Sequence, residues 1–382
     1  MQLWKPSSER IEKARLTKYI SYLKDNHALN FSDYQQLHTW SVTKNADFWS
    51  SLFEFFEINH TGDHKQKENH PDFLNYGWFK NTKLNFAENL LKHKDSKIAA
   101  LKFIHESGLK KELSYKQLYS EVATFSHKLN DLIAPGDVVA AYMPNTPETV
   151  ITMLATSTLG GVFTSTSCDF GVNGVVDRFG QSNPKVLVAA IGYEYNGKYI
   201  DQRPHLEEIK KKIPSIEKIF YVDFLDKNET WSGGEDFYKK NENKTKDINF
   251  VQMPFSHPLY IMYSSGTTGK PKCILHSAGG TLLQHIKELG LHSDLTKDKS
   301  IFYFTTCGWM MWNWLVSSLY FGSTVVLYEG SPAYPSLESF MKMIDEEKIN
   351  IWGTSPKFLK ALESYVGKIK NKLASLETIL ST

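Results

Sequence analysis

The chain has 382 residues, a formal charge of +2, 41% hydrophobic and 23% charged residues. That balance belongs to an ordinary folded protein with room for more than one core, and it excludes the basic bias of a nucleic-acid or anionic-lipid binder. No run is apolar enough to span a bilayer, the first residues lack a signal peptide's basic and apolar regions, and Cys168, Cys273 and Cys307 are too scattered for a disulfide frame or a zinc site, which places the chain in the cytoplasm with reduced thiols.

Residues 1–95 form a first segment rich in aromatic and charged side chains. Trp40, Phe48, Trp49, Phe53, Phe55 and Phe56 punctuate a helical stretch over 47–58 and read as a packing layer. Residues 60–75 read as a polar loop. From residue 96 to 382, strand and helix patterns alternate, so the expected fold is α/β, with βαβ layers and mostly parallel sheets. Residues 98–104 are strand-like. Ser114 and Gln117 fit a capping box, and Leu118, Val122, Phe125 and Leu129 follow at helical spacing. Residues 138–142 read as a buried strand, and Pro147 opens a helix, where its fixed φ suits the first turn. Gly160-Gly161 turns the chain into the next strand.

Residues 165–174 form a polar loop carrying Phe170 and Gly171. Asp177 and Arg178 on the helix after it read as a surface ion pair. Tyr195-Asn-Gly-Lys198 is a second short polar motif, in which a lone Lys198 is ordinarily just solvated. Residues 226–247 read as an exposed insertion.

The next stretch, Tyr263-Ser-Ser-Gly-Thr-Thr-Gly-Lys-Pro-Lys272, follows the apolar run 258–262 and precedes another at 273–275. Gly266 and Gly269 let the backbone turn sharply and approach a ligand. Ser264, Ser265, Thr267 and Thr268 supply hydroxyls, Lys270 and Lys272 supply charge, and inward N–H groups would complete an anion cradle. Gly/Ser/Thr loops often only turn the chain, but four hydroxyls, two glycines and two lysines in ten residues favour phosphate. A Walker P-loop would need Gly at 264 and Ser or Thr at 271; the residues there are Ser264 and Pro271, and the proline opposes the helix that a P-loop requires. Beyond it, 279–288 is helical. A strand over 301–305 is broken by Gly308, and a helix starts near Trp309. Trp309, Met310, Met311, Trp312 and Trp314 give soft apolar surface where open α/β sheets place ligands, although the i, i+3 pair Trp309 and Trp312 also fits a helix core. Helices near 337–347 and 355–365 alternate with strands at 349–353 and 376–381.

The 263–272 stretch resembles the phosphate loop of the adenylate-forming enzymes, the superfamily of acyl-CoA synthetases, luciferases and peptide-synthetase adenylation domains. Longer words are similar to acyl-CoA synthetases of the acetoacetyl type: His38-Thr-Trp-Ser-Val42, Asp169-Phe-Gly-Val-Asn-Gly-Val175, Pro254-Phe-Ser-His-Pro258, His276-Ser-Ala-Gly-Gly-Thr-Leu282 and Gly308-Trp-Met-Met-Trp-Asn-Trp314. The resemblance implies ATP, Mg2+, coenzyme A and acetoacetate as partners: Mg–ATP would activate the acid to an acyl-adenylate, and the CoA thiolate would then displace AMP. It implies that Lys272, Thr267 and Thr268 act on the β- and γ-phosphates, within a phosphate site of Ser264, Ser265, Gly266, Thr267, Thr268, Gly269 and Lys272. Trp309, Met310 and Met311 would line the acyl pocket, and Phe170, Gly171, Asn196 and Lys198 would border CoA, with no residue assigned to a metal.

The resemblance further implies that the chain stops before the adenine loop, the ribose-binding acid, the last part of the core and the C-terminal domain. Its expectation is therefore an N-terminal part, residues 1–95 as a leading segment and 96–382 as an incomplete AMP-binding domain, unable to adenylate acetoacetate alone. Two other readings stay open at this point, a non-catalytic nucleotide- or CoA-binding fragment and an acetyl- or propionyl-CoA synthetase; the paired methionines weigh against the latter.

Overall fold

The computed structural model describes residues 5–66, 77–239, 247–264, 269–365 and 372–381. Two large sheets organise them. The seven-stranded sheet runs Glu235–Asp236, Lys218–Val222, Val186–Ala190, Val138–Tyr142, Val162–Thr166, Pro258–Tyr263 and Cys273–Ser277. Every pair in it is parallel except the last, which returns antiparallel at the edge. The six-stranded sheet runs Thr378–Ser381, Ile351–Thr354, Ser300–Tyr303, Thr324–Glu329, Ala99–His105 and Lys110–Ser114, and only its last pair is antiparallel. The α/β expectation with mostly parallel sheets holds.

Parallel strands covered on both faces read as continuous apolar runs, and Val186–Ala190 is buried at every position. The helix Tyr115–Asn130 starts on the capping box of Ser114 and Gln117, with both reciprocal bonds made. Its Leu118, Val122, Phe125 and Leu129 are buried. The helix Pro147–Thr158 begins on its proline and is buried along its whole length. Its threonines tolerate this by bonding back along the helix: Thr152 Oγ1 donates to the Glu148 carbonyl at 2.7 Å and Thr156 Oγ1 to that of Thr152 at 2.8 Å.

The aromatic N-terminal stretch is indeed a packing layer. Its helix runs Asn45–Phe55. Phe53 and Phe56 are buried, while Trp40, Phe48, Trp49 and Phe55 pack from outside on the same core, which extends through Trp312 to Ile351. Phe53, Phe79 and Phe255 meet with ring centroids 4.7 and 4.8 Å apart.

Three local expectations change, and a fourth holds with a qualification. Thr61 and Gly62, read as loop, pair with Thr82–Leu84 as a short strand, and 67–75 lies outside the described residues. Trp231 and Phe237 within the 226–247 stretch are buried, so that stretch is not simply exposed, and 240–246 lies outside the described residues. The polar loop shrinks to 167–171, because the strand continues to Thr166 and the helix Val172–Ser182 starts early. The run 273–275 is a strand, but Ile274 and Leu275 on it are exposed.

Candidate functional site

The site is built where parallel strands of both sheets end, the position at which an open α/β sheet leaves a crevice. The strand Pro258–Tyr263 enters the glycine- and hydroxyl-rich loop directly. Its last residue is held from two sides, since Tyr263 Oη accepts from Thr164 Oγ1 at 3.0 Å and donates to Ser182 Oγ at 3.2 Å. Burial pushes the Tyr263 phenol above its ordinary pKa, so it stays a neutral donor.

The loop is closed at its neck by a reciprocal pair. The Ser264 N–H donates to the Lys272 carbonyl and the Lys272 N–H donates to Ser264 Oγ, each at 3.0 Å. Gln181 Nε2 donates to the Pro271 carbonyl at 2.8 Å and ties the base of the loop to the neighbouring helix. Gly269 stands at φ +149°, a backbone conformation that suits glycine, and a Cβ there would meet nothing within 4 Å among the described residues. Lys270 and Lys272 are exposed at the rim. Ser265, Gly266, Thr267 and Thr268, the heart of the expected phosphate cradle, lie outside the described residues.

Of the expected acyl-pocket residues, Trp309 is 62% and Met310 44% exposed, and Met311 is half-buried. Trp309 caps the start of the helix Met310–Val316, whereas Trp312 and Trp314 go into the core. The i, i+3 pair Trp309 and Trp312 is therefore not a shared core face. Asn313 Nδ2 donates to Met262 Sδ at 3.1 Å, which packs this helix on the strand that feeds the phosphate loop. Ser165 Oγ donates to the Cys307 carbonyl at 2.6 Å, drawing the Gly308-Trp309 turn onto the end of a neighbouring strand.

Phe170 is half-buried and Gly171 exposed. Tyr142 Oη fixes their turn, donating to the Phe170 carbonyl at 2.6 Å and lying 3.1 Å from the Cys168 carbonyl. The Arg178 guanidinium stacks over the Phe170 ring at 4.2 Å and donates to the Gly174 carbonyl at 2.8 Å. The expected Asp177–Arg178 ion pair is not found among the described residues, and the stacking occupies Arg178 instead. Asn196 and Gly197 form the two-residue tip of a hairpin between the strands Gly192–Tyr195 and Lys198–Asp201, with φ +53° and +71°. Both positive angles explain why Asn-Gly stands there. Lys198 is exposed beside the tip. The hairpin flanks the Cys168–Asp169 turn: burial, then those two groups, push the Tyr193 phenol up to about 12.

Asn145 and Glu106 escaped the sequence reading, and Glu329 was given no role by it. Asn145 is fully buried at the junction of the two sheets. Its Oδ1 accepts from Trp312 Nε1 at 2.8 Å, its Nδ2 reaches the carbonyls of Thr305 and Tyr328 at 3.4 and 3.3 Å, and its N–H donates to Glu329 Oε2 at 2.7 Å. Glu329 ends the strand Thr324–Glu329; part of the residue is exposed, but its carboxyl group is enclosed and burial pushes it up to about 7. Glu106 accepts two backbone N–H groups. Nothing local marks Asn145 or Glu106, because their partners lie far along the chain. The Asn196-Gly197 pair, by contrast, carried a hairpin signal that could have been read. Among the described residues, no group of three or more His, Cys, Asp or Glu is placed to hold a metal ion.

The pattern of the family described as AMP-binding enzyme matches residues 86–382. Acetoacetyl-CoA synthetase from Danio rerio is 39% identical over 398 residues, covering all of this chain and 58% of the relative. Acetoacetyl-coenzyme A synthetase from Rhizobium meliloti is 38% identical over 388 residues, covering all of this chain and 59% of the relative. The solved structure of acetoacetyl-CoA synthetase from Streptomyces lividans superposes with a TM-score of 0.94 at 33% identity, covering all of this chain and 60% of that one. The chain thus spans about three fifths of the length of the relatives it matches.

Proposed function

The chain belongs to the AMP-binding enzymes, and on that premise we propose that it is the part of an acetoacetate–CoA ligase that grips ATP phosphates and the acid. The observation that carries the reading is the 3.1 Å bond from Asn313 to Met262. It brings the helix that starts beside Trp309 against the strand that enters the loop, which supports a reading in which that helix holds the acid and the loop holds the phosphates. In the first step a carboxylate oxygen of acetoacetate attacks the α-phosphorus of ATP; the bond to the β-phosphate oxygen breaks and pyrophosphate leaves. In the second, the CoA thiolate attacks the acyl carbon, a thioester forms and AMP leaves.

In this reading Lys272, the hydroxyls of Ser264, Ser265, Thr267 and Thr268, and the N–H groups of Gly266 and Gly269 stabilise the charge that grows on pyrophosphate. Each charge-assisted bond contributes about 1.5–3 kcal/mol. Trp309, Met310 and Met311 hold the acyl chain; Phe170, Gly171, Asn196 and Lys198 border CoA. Mg2+ would enter with the nucleotide as Mg–ATP. The partners are small molecules, and the place of work is the cytoplasm. No described helix is long and apolar enough to cross a membrane.

The test is acetoacetate-dependent exchange of pyrophosphate into ATP by the full-length ligase that carries this part, wild type against Lys272→Ala. The expected result is a fall of about tenfold to a hundredfold in exchange rate, the size of losing one such bond in the transition state, with a smaller change in the acetoacetate dependence. Equal rates would remove Lys272 from the site. Nucleotide binding without any exchange in the wild type would favour the other reading, a nucleotide- and CoA-binding unit without chemistry of its own.

A further inference from the structure

The hairpin Gly192–Tyr195/Lys198–Asp201 forms a two-stranded sheet of its own. Such a hairpin is marginal by itself in water, yet its tip carries Asn196 and sits next to Lys198. Its base is anchored, since the Gln202 N–H donates to the Ile191 carbonyl at 2.9 Å and Lys227 pairs with Glu194 at 2.8 Å. The tip is held differently. Glu106, only 8% exposed, accepts the Gly197 N–H on Oε1 at 2.8 Å and the Ser331 N–H on Oε2 at 2.6 Å. Its own N–H donates to the Glu329 carbonyl at 3.0 Å. One carboxylate thus clasps the hairpin tip to the turn that follows the strand Thr324–Glu329.

The surroundings are shaped for that clasp. Gly330 stands at φ +121°, and a Cβ there would lie 2.5 Å from Glu106 Oε2. Gly197 stands at φ +71°, and a Cβ there would lie 2.7 Å from Tyr334 Oη. A side chain at Gly330 would push the carboxylate away, and one at Gly197 would press on the partly exposed Tyr334 ring and strain the left-handed backbone of the tip. A neutral amide in place of Glu106 could accept from one N–H but would turn its own N–H₂ toward the other, so the clasp needs both carboxylate oxygens.

We infer that Glu106 is a positioning residue that holds the Asn196-Gly197 tip, and with it Lys198, where the phosphate-bearing end of coenzyme A is received. This rests on the ligase reading for its ligand, and on geometry alone for the clasp. Glu106 touches neither acid nor ATP in this account, so its loss should separate the two half-reactions.

The experiment compares wild type, Glu106→Gln, Glu106→Asp, Lys198→Ala and the Glu106→Gln/Lys198→Ala double variant, each made in the full-length ligase that carries this part. The readouts are acetoacetate-dependent pyrophosphate exchange, the KM for CoA in thioester formation, and hydrogen exchange over residues 192–201. Glu106→Gln is expected to keep pyrophosphate exchange within about twofold, raise the CoA KM about tenfold, and speed amide exchange at the tip about tenfold. Glu106→Asp, which keeps the charge on a shorter stem, should fall between. The double variant should raise the KM little more than either single one, because partners in one interaction are not additive. Unchanged amide exchange in Glu106→Gln overturns the clasp, and so does a loss of pyrophosphate exchange as large as the loss in CoA use. Additive effects of Glu106 and Lys198 overturn the link to CoA. Absence of pyrophosphate exchange in the wild type overturns the ligase reading, while amide exchange still decides the clasp.

Discussion

Asn145 shows how much of this site rests on single buried polar groups. Its side chain spends its hydrogen-bonding capacity on Trp312, Thr305 and Tyr328, all more than 150 positions away. No window of sequence around it could announce that, whereas the loop glycines and hydroxyls crowd into ten residues and were legible at once. Asn145→Ala leaves the buried Trp312 N–H without a partner and should cost about 1–3 kcal/mol. Asn145→Asp should cost more than Ala, because it sets a buried acceptor, or a charge, against two carbonyl oxygens. Urea unfolding of the two variants checks the order, and a milder Asp than Ala would mean that Nδ2 does not face those carbonyls.

At the level of elements, what could be read depended on whether local pattern decides local structure. Val138–Tyr142 and the start of Pro147–Thr158 agree with the sequence, because a continuous apolar run and a first-turn proline are local signals. The burial of Cys273–Ser277 was not legible, since three apolar residues look alike at a sheet centre and at an edge. Among the described residues this strand pairs only with Pro258–Tyr263, and Leu275 on it is 59% exposed. An open edge with exposed apolar side chains is a template for association between molecules. Leu275→Lys should therefore lower aggregation on concentration, read by light scattering, while changing unfolding free energy by about 0.5 kcal/mol or less. A loss several times larger would show that Leu275 is packed in solution.

For the molecule as a whole, the two sheets converge on a shared set of strand ends, and Glu329 sits there with its carboxyl group raised to about 7 by burial, despite the opposing Asn145 N–H. A carboxylate raised on folding binds its proton more tightly in the folded state. Its contribution to stability is thus fully present below the unfolded pKa of about 4.5 and declines as pH rises through 7. Glu329→Gln should flatten that decline between pH 5 and pH 8, seen as a smaller drop in melting temperature than wild type over the same range. An identical slope in the two proteins would place the titration elsewhere. The tie between Ser264 and Lys272 bears on every substitution in the loop, since Lys272 contributes only its peptide groups to it. Trimming the Lys272 side chain leaves that drawstring knotted, so whatever such a variant loses reports on the missing ammonium and not on a mouth that has slackened.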